Sequence, residues 1–334
     1  MKPRVRLGRG VTLELTSGDR VVFDGTAPGD VRVLSHAHAD HQVGRKPGPV
    51  VSSPLTAALV ERRQNATIEV ADTPANVDLL NAGHVAGSRA ARVTDPDTGR
   101  RYLYTGDVCP RDRFYLDGFD PPDADVLIVE ATYGTPDYRL PPTDDVLDEI
   151  HDWLADTRDR IAVMFGYSLG RAQKLQRIAG DAGRSRVFVT DTVADVNAVI
   201  ESHLDLSFDV TRFDGDAGVT DGSDLEPGDV LVAPGGAARG AAVGSLLERE
   251  DVVTAGFSGW AIDRSFRFRR GYGAGFPISD HADFDELVDI VRAVDPDRVY
   301  THHGFAEEFA SHLTTEHGYQ TRALKRDQAT LADF

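Results

Sequence analysis

The chain has 334 residues, a hydrophobic content of 41% and a formal net charge of −18. This composition is typical of a folded globular protein, and the single cysteine, Cys109, excludes an internal disulfide and a cysteine-based zinc cluster. So acidic a surface repels itself unless salt screens it, so we expect adaptation to high salt, as in an extreme halophile; the alternative is an ordinary acidic soluble protein. The sequence shows no signal peptide and no membrane-spanning run, which predicts a cytoplasmic protein without a membrane partner.

The beginning and end of the chain combine short strands with amphipathic helices. Runs rich in β-formers, separated by Gly, Asp and Pro, predict strands at 11–16, 20–26, 31–36, 91–95, 100–107 and 125–134. The runs at 91–95 and 100–107 are expected to form a hairpin. Helical periodicity predicts helices at 55–64, 284–294 and 305–318.

The middle of the chain changes character, because strands and helices alternate there. Helices are predicted at 145–159, 169–180 and 193–204, and strands at 161–168, 186–191, 229–234 and 251–259. Such alternation is typical of a parallel sheet. We therefore expect an α/β chain in three parts, with an inserted βα domain at 140–275 between a first part at 1–139 and a returning part at 276–334.

The sequence LSHAHADHQVG at 34–44 brings together His36, His38, Asp40 and His41. Neutral imidazole and carboxylate are the usual ligands of zinc and similar metals. In an extended segment residues i and i+2 point the same way, so His36 and His38 can bind one metal together. Asp40 and His41 follow as the chain turns and can face a second metal.

Two histidines do not complete a metal site, so further ligands must come from other segments. Candidates at predicted element ends are His84 in NAGHVAGS, Asp107 in LYTGDV, and the pair His302 and His303 in YTHHG. Each residue alone is more often a surface or hydrogen-bonded side chain. Together with the 34–44 segment, they indicate a site for two metals.

These motifs carry a resemblance to a known family. HAHADH, AGHVAGS and YTGD, in this order, resemble the ligand motifs of the metallo-β-lactamase superfamily. LIVEATYG, ISDHADF and YTHHG resemble the three signatures of its β-CASP nuclease branch, and FGYSLGRAQK resembles the segment that opens the β-CASP cap domain. The resemblance implies an αββα sandwich with an inserted β-CASP domain, and a dimetal site at one edge of the sandwich.

The resemblance also implies a role for each motif residue, with two zinc ions, or manganese, as the metals. The implied ligands are His36, His38 and His84 for one metal, Asp40, His41 and His303 for the other, and Asp107 as a bridge. Asp24 in VFDGT matches the acid that supports the histidine loop from behind the ligands. His303 is chosen over His302 because the family pattern is His-Gly, and Gly304 follows His303.

Three residues are implied in the chemistry itself. Asp40 would also orient the attacking water. His281, paired with Glu130, would act as general acid for the leaving oxygen, because the carboxylate would hold the imidazole charged and aimed. In the plainer alternatives, Glu130 pairs with an arginine and His281 only lies at a helix entry.

A phosphodiester substrate requires positive groups, and the best patch is DRSFRFRRGYG at 263–273. Its arginines, among them Arg267, Arg269 and Arg270, alternate with aromatic residues, so they can contact phosphates while the aromatics stack on bases. The alternative is a strand with a charged outer face. A second set of candidates lies at predicted turns and helix starts whose N–H groups suit a phosphate, namely Ser168, Gly170, Arg171, Ser258 and Gly259.

The leading hypothesis from this resemblance is a metal-dependent nuclease for single-stranded DNA or RNA. The wording YSLGRAQ and ISDHADF favours the ligase-associated DNA exonucleases, which implies a DNA ligase as partner. The histidine of YTHHG is usual in RNA-acting members, which favours the mRNA 3′-end processing factors and their RNA-processing partners. A small-molecule hydrolase, such as a thioesterase or lactonase, and an inactive scaffold subunit are the remaining alternatives. The inserted domain argues against the hydrolase, and the complete ligand set argues against the scaffold.

Overall fold

The computed structural model describes residues 2–41, 44, 48–213 and 225–325. The chain divides into two units: a sandwich unit, Met1–Arg139 with His281–Phe334, and an inserted unit, Leu140–Asp280. The insert was predicted at 140–275, whereas the inserted unit continues to Asp280. No helix in the described ranges is long and apolar enough to cross a membrane.

The first part of the sandwich unit consists mainly of short strands. Its elements are β1 (Arg4–Gly8), β2 (Gly10–Glu14), β3 (Arg20–Phe23), β4 (Val31–Val33), β5 (Pro49–Val50), α1 (Pro54–Gln64), β6 (Glu69–Val70), β7 (Val77–Asn81), β8 (Arg89–Thr94), β9 (Arg101–Tyr104) and β10 (Val126–Glu130). The predicted hairpin is β8 with β9, which pair antiparallel. Helix α1 begins after Ser53, whose hydroxyl accepts a hydrogen bond from the Thr56 N–H.

The inserted unit alternates strands and helices, as predicted. Its elements are α2 (Thr143–Asp156), β11 (Ile161–Phe165), α3 (Arg171–Asp181), β12 (Val187–Val189), α4 (Asp191–Glu201), β13 (Thr211–Arg212), β14 (Val230–Ala233), α5 (Ala241–Leu247), β15 (Val252–Phe257), α6 (Ser265–Arg270) and β16 (Ala274–Phe276). The strands form one sheet in the order β13-β12-β14-β11-β15-β16, and every pairing between its described strands is parallel.

The two faces of this parallel sheet are both covered. Along β11, Ala162 and Met164 join a core with residues of α2 and α3, while Ile161, Val163 and Phe165 join a second core with residues of α5. Successive side chains of a strand point to opposite faces, so a strand that is buried on both sides is apolar throughout. The run IAVMF is such a strand.

The chain returns to the sandwich unit with α7 (Phe284–Val294), β17 (Arg298–His302), α8 (Ala306–His317) and β18 (Thr321–Ala323). Strands β17 and β18 extend a sheet in the order β18-β17-β10-β9-β8-β7, and β1 to β4 form a second sheet. Helix α7 begins with a capping box, in which Asp283 and Glu286 each accept the other's backbone N–H at 2.9 Å.

The core of the sandwich unit has two layers. Between the sheets, residues of β2 and β3 meet residues of β9 and β10, including Ile128. On the other face of β10, Leu127 and Val129 pack with apolar residues of α7 and α8. The fold is therefore of the predicted α/β class, a sandwich of two sheets with flanking helices and an inserted parallel βα domain. Its catalytic candidates lie where β4, β9, β10 and β17 end.

Candidate metal centre and general-acid pair

The loop after β4 carries the histidines of the 34–44 segment, and Asp24 anchors it. The backbone N–H and the hydroxyl of Ser35 donate to the two oxygens of Asp24 at 2.7 and 2.6 Å. The Ser35 hydroxyl also lies 2.9 Å from Nδ1 of His36. Because one ring nitrogen of His36 is held in this way, its Nε2 atom faces the centre of the site.

Four side chains converge as a first donor set, composed of His36, His38, His84 and Asp107, with all donor atoms within 4.8 Å of one another. Nε2 of His36 lies 3.3 Å from Oδ2 of Asp107. Nδ1 of His38 lies 3.1 Å from Nε2 of His84. The set contains imidazoles from two loops and a carboxylate from the end of β9, which matches the ligand chemistry of zinc-like metals.

A second donor set consists of His41, Asp107 and His303. Nε2 of His41 lies 3.4 Å from Oδ1 of Asp107, whereas the first set approaches Oδ2. Both of these buried atoms, Nε2 of His41 and Oδ1 of Asp107, lack a hydrogen-bond partner within the described ranges. The carboxylate of Asp107 is therefore shared between the two sets, one oxygen for each, and the donor arrangement fits a pair of divalent cations.

Burial and neighbouring charges set the ionisation of these ligands. Burial lowers the pKa of His36, and burial together with His281 lowers the pKa of His84 well below its usual value, so both rings are neutral. Burial alone would raise the pKa of Asp107, but the charged ring of His41 holds it well below its usual range. The carboxylates of Asp107 and Asp24 in turn raise the pKa of His41 well above its usual value, although burial opposes this. His36, His84 and Asp107 are therefore in the forms that bind metal, whereas His41 must release a proton when metal binds.

Asp24 supports the second set from behind. Its Oδ2 atom accepts from Nδ1 of His41 at 2.8 Å and from the hydroxyl of Tyr104 at 2.8 Å. Burial opposes ionisation of Asp24, but the interaction with His41 outweighs it and lowers the Asp24 pKa to about 2. The ring of Tyr104 stacks on Phe23 with centroids 4.5 Å apart. Tyr104 was not among the predicted site residues, although it ends β9 three positions before Asp107.

A second constellation joins His281 to Glu130 beside the shared carboxylate. Nδ1 of His281 lies 2.9 and 3.1 Å from the two oxygens of Glu130. Glu130 is fully buried and also accepts from the N–H groups of Val108 and Thr132 at 2.8 and 3.3 Å. Asp107, Glu130 and His281 form a further group of donor atoms within 4.8 Å. The carboxylate of Glu130 thus fixes the ring of His281 next to the two donor sets.

Arg111 holds the backbone at His281, a role that the motif pattern did not predict. One of its terminal nitrogens donates to the carbonyl of His281 at 3.0 Å, and the other donates to Glu286 at 2.5 Å. The N–H of Ala282 donates to the carbonyl of Val108 at 2.7 Å. The segment after Asp107 therefore positions His281 through its backbone while Glu130 positions it through its ring.

The two histidines at the end of β17 face different surroundings. His302 is buried and stacks on Tyr104 with centroids 5.4 Å apart, and burial lowers its pKa to about 3. His303 has a φ of 61° and joins the second donor set. A side chain at Gly304 would collide with the carbonyl of Ala131, which explains the glycine that follows.

Asp40 lies outside both donor sets, in contrast to the other predicted ligands. It occupies the turn closed by the hydrogen bond from the His41 N–H to the His38 carbonyl, and its side chain is exposed. Its charge acts on Arg63, where it partly offsets the lowering of the guanidinium pKa by burial. The structure therefore brings together His36, His38, His41, His84, Asp107 and His303, and leaves Asp40 apart.

The helix-start candidates of the inserted unit are largely engaged within that unit. Arg171 is buried, donates from Nε to Asp280 at 3.0 Å and from a terminal nitrogen to the Phe257 carbonyl at 2.9 Å. Its predicted role as a phosphate ligand is therefore not the role in this structure, because the guanidinium holds buried partners. The Gly170 N–H donates to the Gln173 side chain, and the buried Ser258 hydroxyl accepts from the Trp260 N–H beside Gly259.

The arginine-rich patch at 263–273 contains helix α6, not the strand of the plainer alternative. Arg267, Arg269 and Arg270 all lie on this helix and are exposed. Arg269 donates to Asp263 at 2.8 Å. The period-two alternation of arginine and aromatic residues suggested a strand, but the helix is too short for a 3.6-residue period to show in the sequence.

Comparison with known proteins supports the family. No protein-family model matches the chain. A probable DNA ligase from Opitutus terrae is 33% identical over 319 residues, which cover 91% of this chain and 30% of that protein. Probable RNase MJ4 from Methanocaldococcus jannaschii is 26% identical over 226 residues, which cover 54% of this chain and 52% of that protein.

Among solved structures, the crystal structure of a protein of unknown function from Enterococcus faecalis V583 matches with a TM-score of 0.64. The match covers 96% of each chain at 15% identity, so it supports the fold alone. The chain spans about a third of the length of the probable DNA ligase and about half of the length of probable RNase MJ4. With both units matched and with these motifs in order, the chain belongs to the β-CASP branch of the metallo-β-lactamase superfamily.

Proposed function

We propose that the chain is a dimetal-dependent hydrolase that cleaves phosphodiester bonds of single-stranded nucleic acid. The observation that carries the proposal is the buried Glu130–His281 pair beside Asp107, the carboxylate shared by both donor sets. An acid group next to a two-metal centre is what hydrolysis of a phosphodiester requires, because the leaving oxygen needs a proton.

The metals would be zinc, with manganese as the alternative. His36, His38 and His84 would hold one ion, His41 and His303 the other, and Asp107 both. Asp40 would complete the second set on metal binding, since it lies in the same turn as His41. Two bound ions would lower the pKa of a water molecule and stabilise the charge that develops on the phosphate.

The residues around this centre would fix ligands and move a proton. Ser35 and Asp24 hold His36 and His41 so that their Nε2 atoms face Asp107. Glu130 binds Nδ1 of His281 and would stabilise the charged ring, which would then give a proton from Nε2 to the leaving oxygen. Arg111 would keep the His281 backbone in place during this transfer.

The DNA-directed alternative has the broader support. The relative named probable DNA ligase matches 91% of this chain, whereas the relative named probable RNase matches 54%. We therefore propose an exonuclease of the ligase-associated type that acts alongside a DNA ligase. RNA processing is the second candidate, because the RNase relative is matched and His303, usual in RNA-acting members, joins the donor set.

The test is cleavage of single-stranded DNA and RNA labelled at either the 5′ or the 3′ end, in high KCl with zinc or manganese. We expect stepwise shortening of DNA from one end, and no cleavage by the Asp107→Asn variant. Preferential cleavage of RNA would transfer the assignment to the second candidate. Absence of cleavage of both polymers, with metal bound, would contradict the nuclease proposal.

The charge of the chain extends the proposal to its environment. Acidic residues number 54 against 36 basic ones. We propose adaptation to a salt-rich cytosol, where screening relieves the repulsion among these charges. The melting temperature should rise with KCl concentration, and a fall over the same range would contradict this part of the proposal.

A further inference from the structure

Helix α6 of the inserted unit presents an exposed aromatic ring among arginines. Phe268 is 70% exposed, the most exposed large apolar side chain in the described ranges. The guanidinium of Arg267 lies 4.6 Å from the centroid of its ring. An apolar ring that stays in water contributes no burial energy to the fold. An exposed ring among arginines therefore indicates a binding surface more than a single exposed apolar residue would.

The other aromatic residues of the patch serve the fold. Phe266 and Tyr272 lie over Gly256 of β15, where a side chain would collide with the Tyr272 ring. Tyr272 also stacks on Phe165 of β11 with centroids 5.2 Å apart. Of the three aromatic residues in 263–273, Phe268 is therefore the exposed one, whereas Phe266 and Tyr272 are half-buried.

The arginines of the patch divide in the same way. Arg269 is used by Asp263, which also accepts from the hydroxyl of Ser265. Arg264, Arg267 and Arg270 are exposed and form no ion pair with any residue in the described ranges. In a chain with a net charge of −18, unpaired cations on one short helix are a local reversal of sign.

Arg264 and Arg267 also line a cavity beside the helix. It has a volume of about 410 Å³, and its wall also includes Ala261, Phe266, Ala274, Gly275, Phe276 and Asp263, the acid that accepts from Arg269. Arg264 directly precedes α6 and has a helical backbone conformation, so its spacing of i, i+3 and i+4 with Arg267 and Phe268 places the three on one side of the helix. A single strand of nucleic acid alternates phosphates and bases. The arginines could contact the phosphates, and the exposed ring of Phe268 could stack on a base between them.

We propose that α6 is a docking surface for single-stranded nucleic acid, in which Phe268 stacks on a base while Arg264, Arg267 and Arg270 bind the flanking phosphates. The choice of ligand rests on the proposed function, but the surface itself is defined by the inserted unit alone. Arg264 replaces Arg269 in the set suggested by the sequence, because Arg269 is occupied by Asp263. In high salt the counterion-release contribution is small, so the stack should contribute a larger share of the binding than it would in dilute buffer.

The experiment measures binding of a fluorescent oligothymidylate and a fluorescent oligouridylate by the whole chain in high KCl with EDTA, so that cleavage does not interfere. Phe268→Ala should weaken binding about tenfold, in line with the energy of one base stack. Phe268→Trp should keep the affinity, whereas Phe268→Leu, of similar bulk but without a ring, should behave as Phe268→Ala. The exposed Arg322 of the sandwich unit, changed to Gln, is the control for loss of one charge.

Wild-type affinity in Phe268→Ala and in a combined Arg264→Gln, Arg267→Gln, Arg270→Gln variant would overturn the docking proposal. Equal competition by duplex DNA or by polyglutamate would also overturn it, because neither offers an unstacked base. Cleavage by the same variants with metal restored separates the two proposals: binding through Phe268 without cleavage by the wild type contradicts the nuclease function alone, and cleavage by the wild type without a Phe268 effect contradicts the surface alone.

Discussion

The candidate metal centre of the sandwich unit and the proposed α6 surface of the inserted unit use polar side chains in opposite ways. In the centre, ring nitrogens are held from behind, His36 by Ser35, His41 by Asp24 and His281 by Glu130. On α6, arginines are exposed and those of the docking set have no ion-pair partner within the described ranges. Groups that react with a phosphodiester must be held in a fixed geometry. Side chains that only bind a flexible single strand can remain mobile.

The largest effect should come from the residue that the two donor sets share. Asp107→Asn should reduce cleavage by more than about 10⁴-fold, because Lewis-acid stabilisation and water activation both depend on the shared carboxylate. Cleavage rate and bound metal, measured by elemental analysis, should fall together. The matched control is the exposed Asp120 changed to Asn. Full metal content in Asp107→Asn would show that the two sets are not joined as described.

His281→Ala should reduce cleavage by about 10²–10⁴-fold, the usual contribution of a general acid. Metal content should stay at the wild-type level, because His281 is held by Glu130 and not by the ligand sets. The exposed His203, changed to Ala, is the control for a histidine of no proposed role. Loss of metal in His281→Ala would move this residue from acid to ligand.

Asp24→Asn tests the support behind the ligands. The variant loses the charged acceptor of the His41 ring, so metal affinity should fall about 10–100-fold. The measurement is a competition titration with a fluorescent chelator. An unchanged metal affinity would mean that His41 keeps its orientation without Asp24. The contrast between the fixed ring nitrogens of this site and the exposed arginines of the α6 surface would then be weaker.

The same carboxyl should give the metal-free protein a pH dependence of stability. The Asp24 pKa is about 2 when folded and 3.8 ordinarily, so its contribution of about 2 kcal/mol is present above about pH 4 and is lost as the pH falls towards 2. The difference in unfolding free energy between wild type and Asp24→Asn, from urea titrations with EDTA, should shrink over that range. A difference that stays constant with pH would contradict the assignment.

Tyr104→Phe should have the smallest effect. It removes one hydrogen bond to Asp24 at 2.8 Å and keeps the ring that stacks on Phe23 and His302. One such bond is worth about 1 kcal/mol, so we expect metal affinity to fall severalfold with little change in melting temperature. A large loss of stability with wild-type metal affinity would assign Tyr104 to the core alone.

The sequence predicted those parts of the site whose residues are close together in the chain. His36, His38 and His41 share one loop, and their residue types alone indicate a metal. Tyr104 was missed because its partner Asp24 is 80 positions away, and Arg111 because the His281 carbonyl is 170 positions away. Burial of Arg171 was missed for the same reason, since Asp280 lies 109 positions further on.

Fold prediction succeeded where the hydrophobic pattern was long enough. The two-sided strand β11 and the amphipathic helix α7 follow directly from their residues. Edge strands such as β1 were missed, because its alternating arginines leave few apolar positions. Helix α6 was missed because its six residues carry too little periodicity to be distinguished from a strand.

Anomalous X-ray diffraction from crystals grown with zinc would show directly whether Asp107 is shared by two metals. We predict two peaks roughly 3.5–4 Å apart beside the Asp107 carboxylate, one near His36, His38 and His84 and one near His41 and His303. A single peak, or peaks away from Asp107, would contradict the proposed two-metal site.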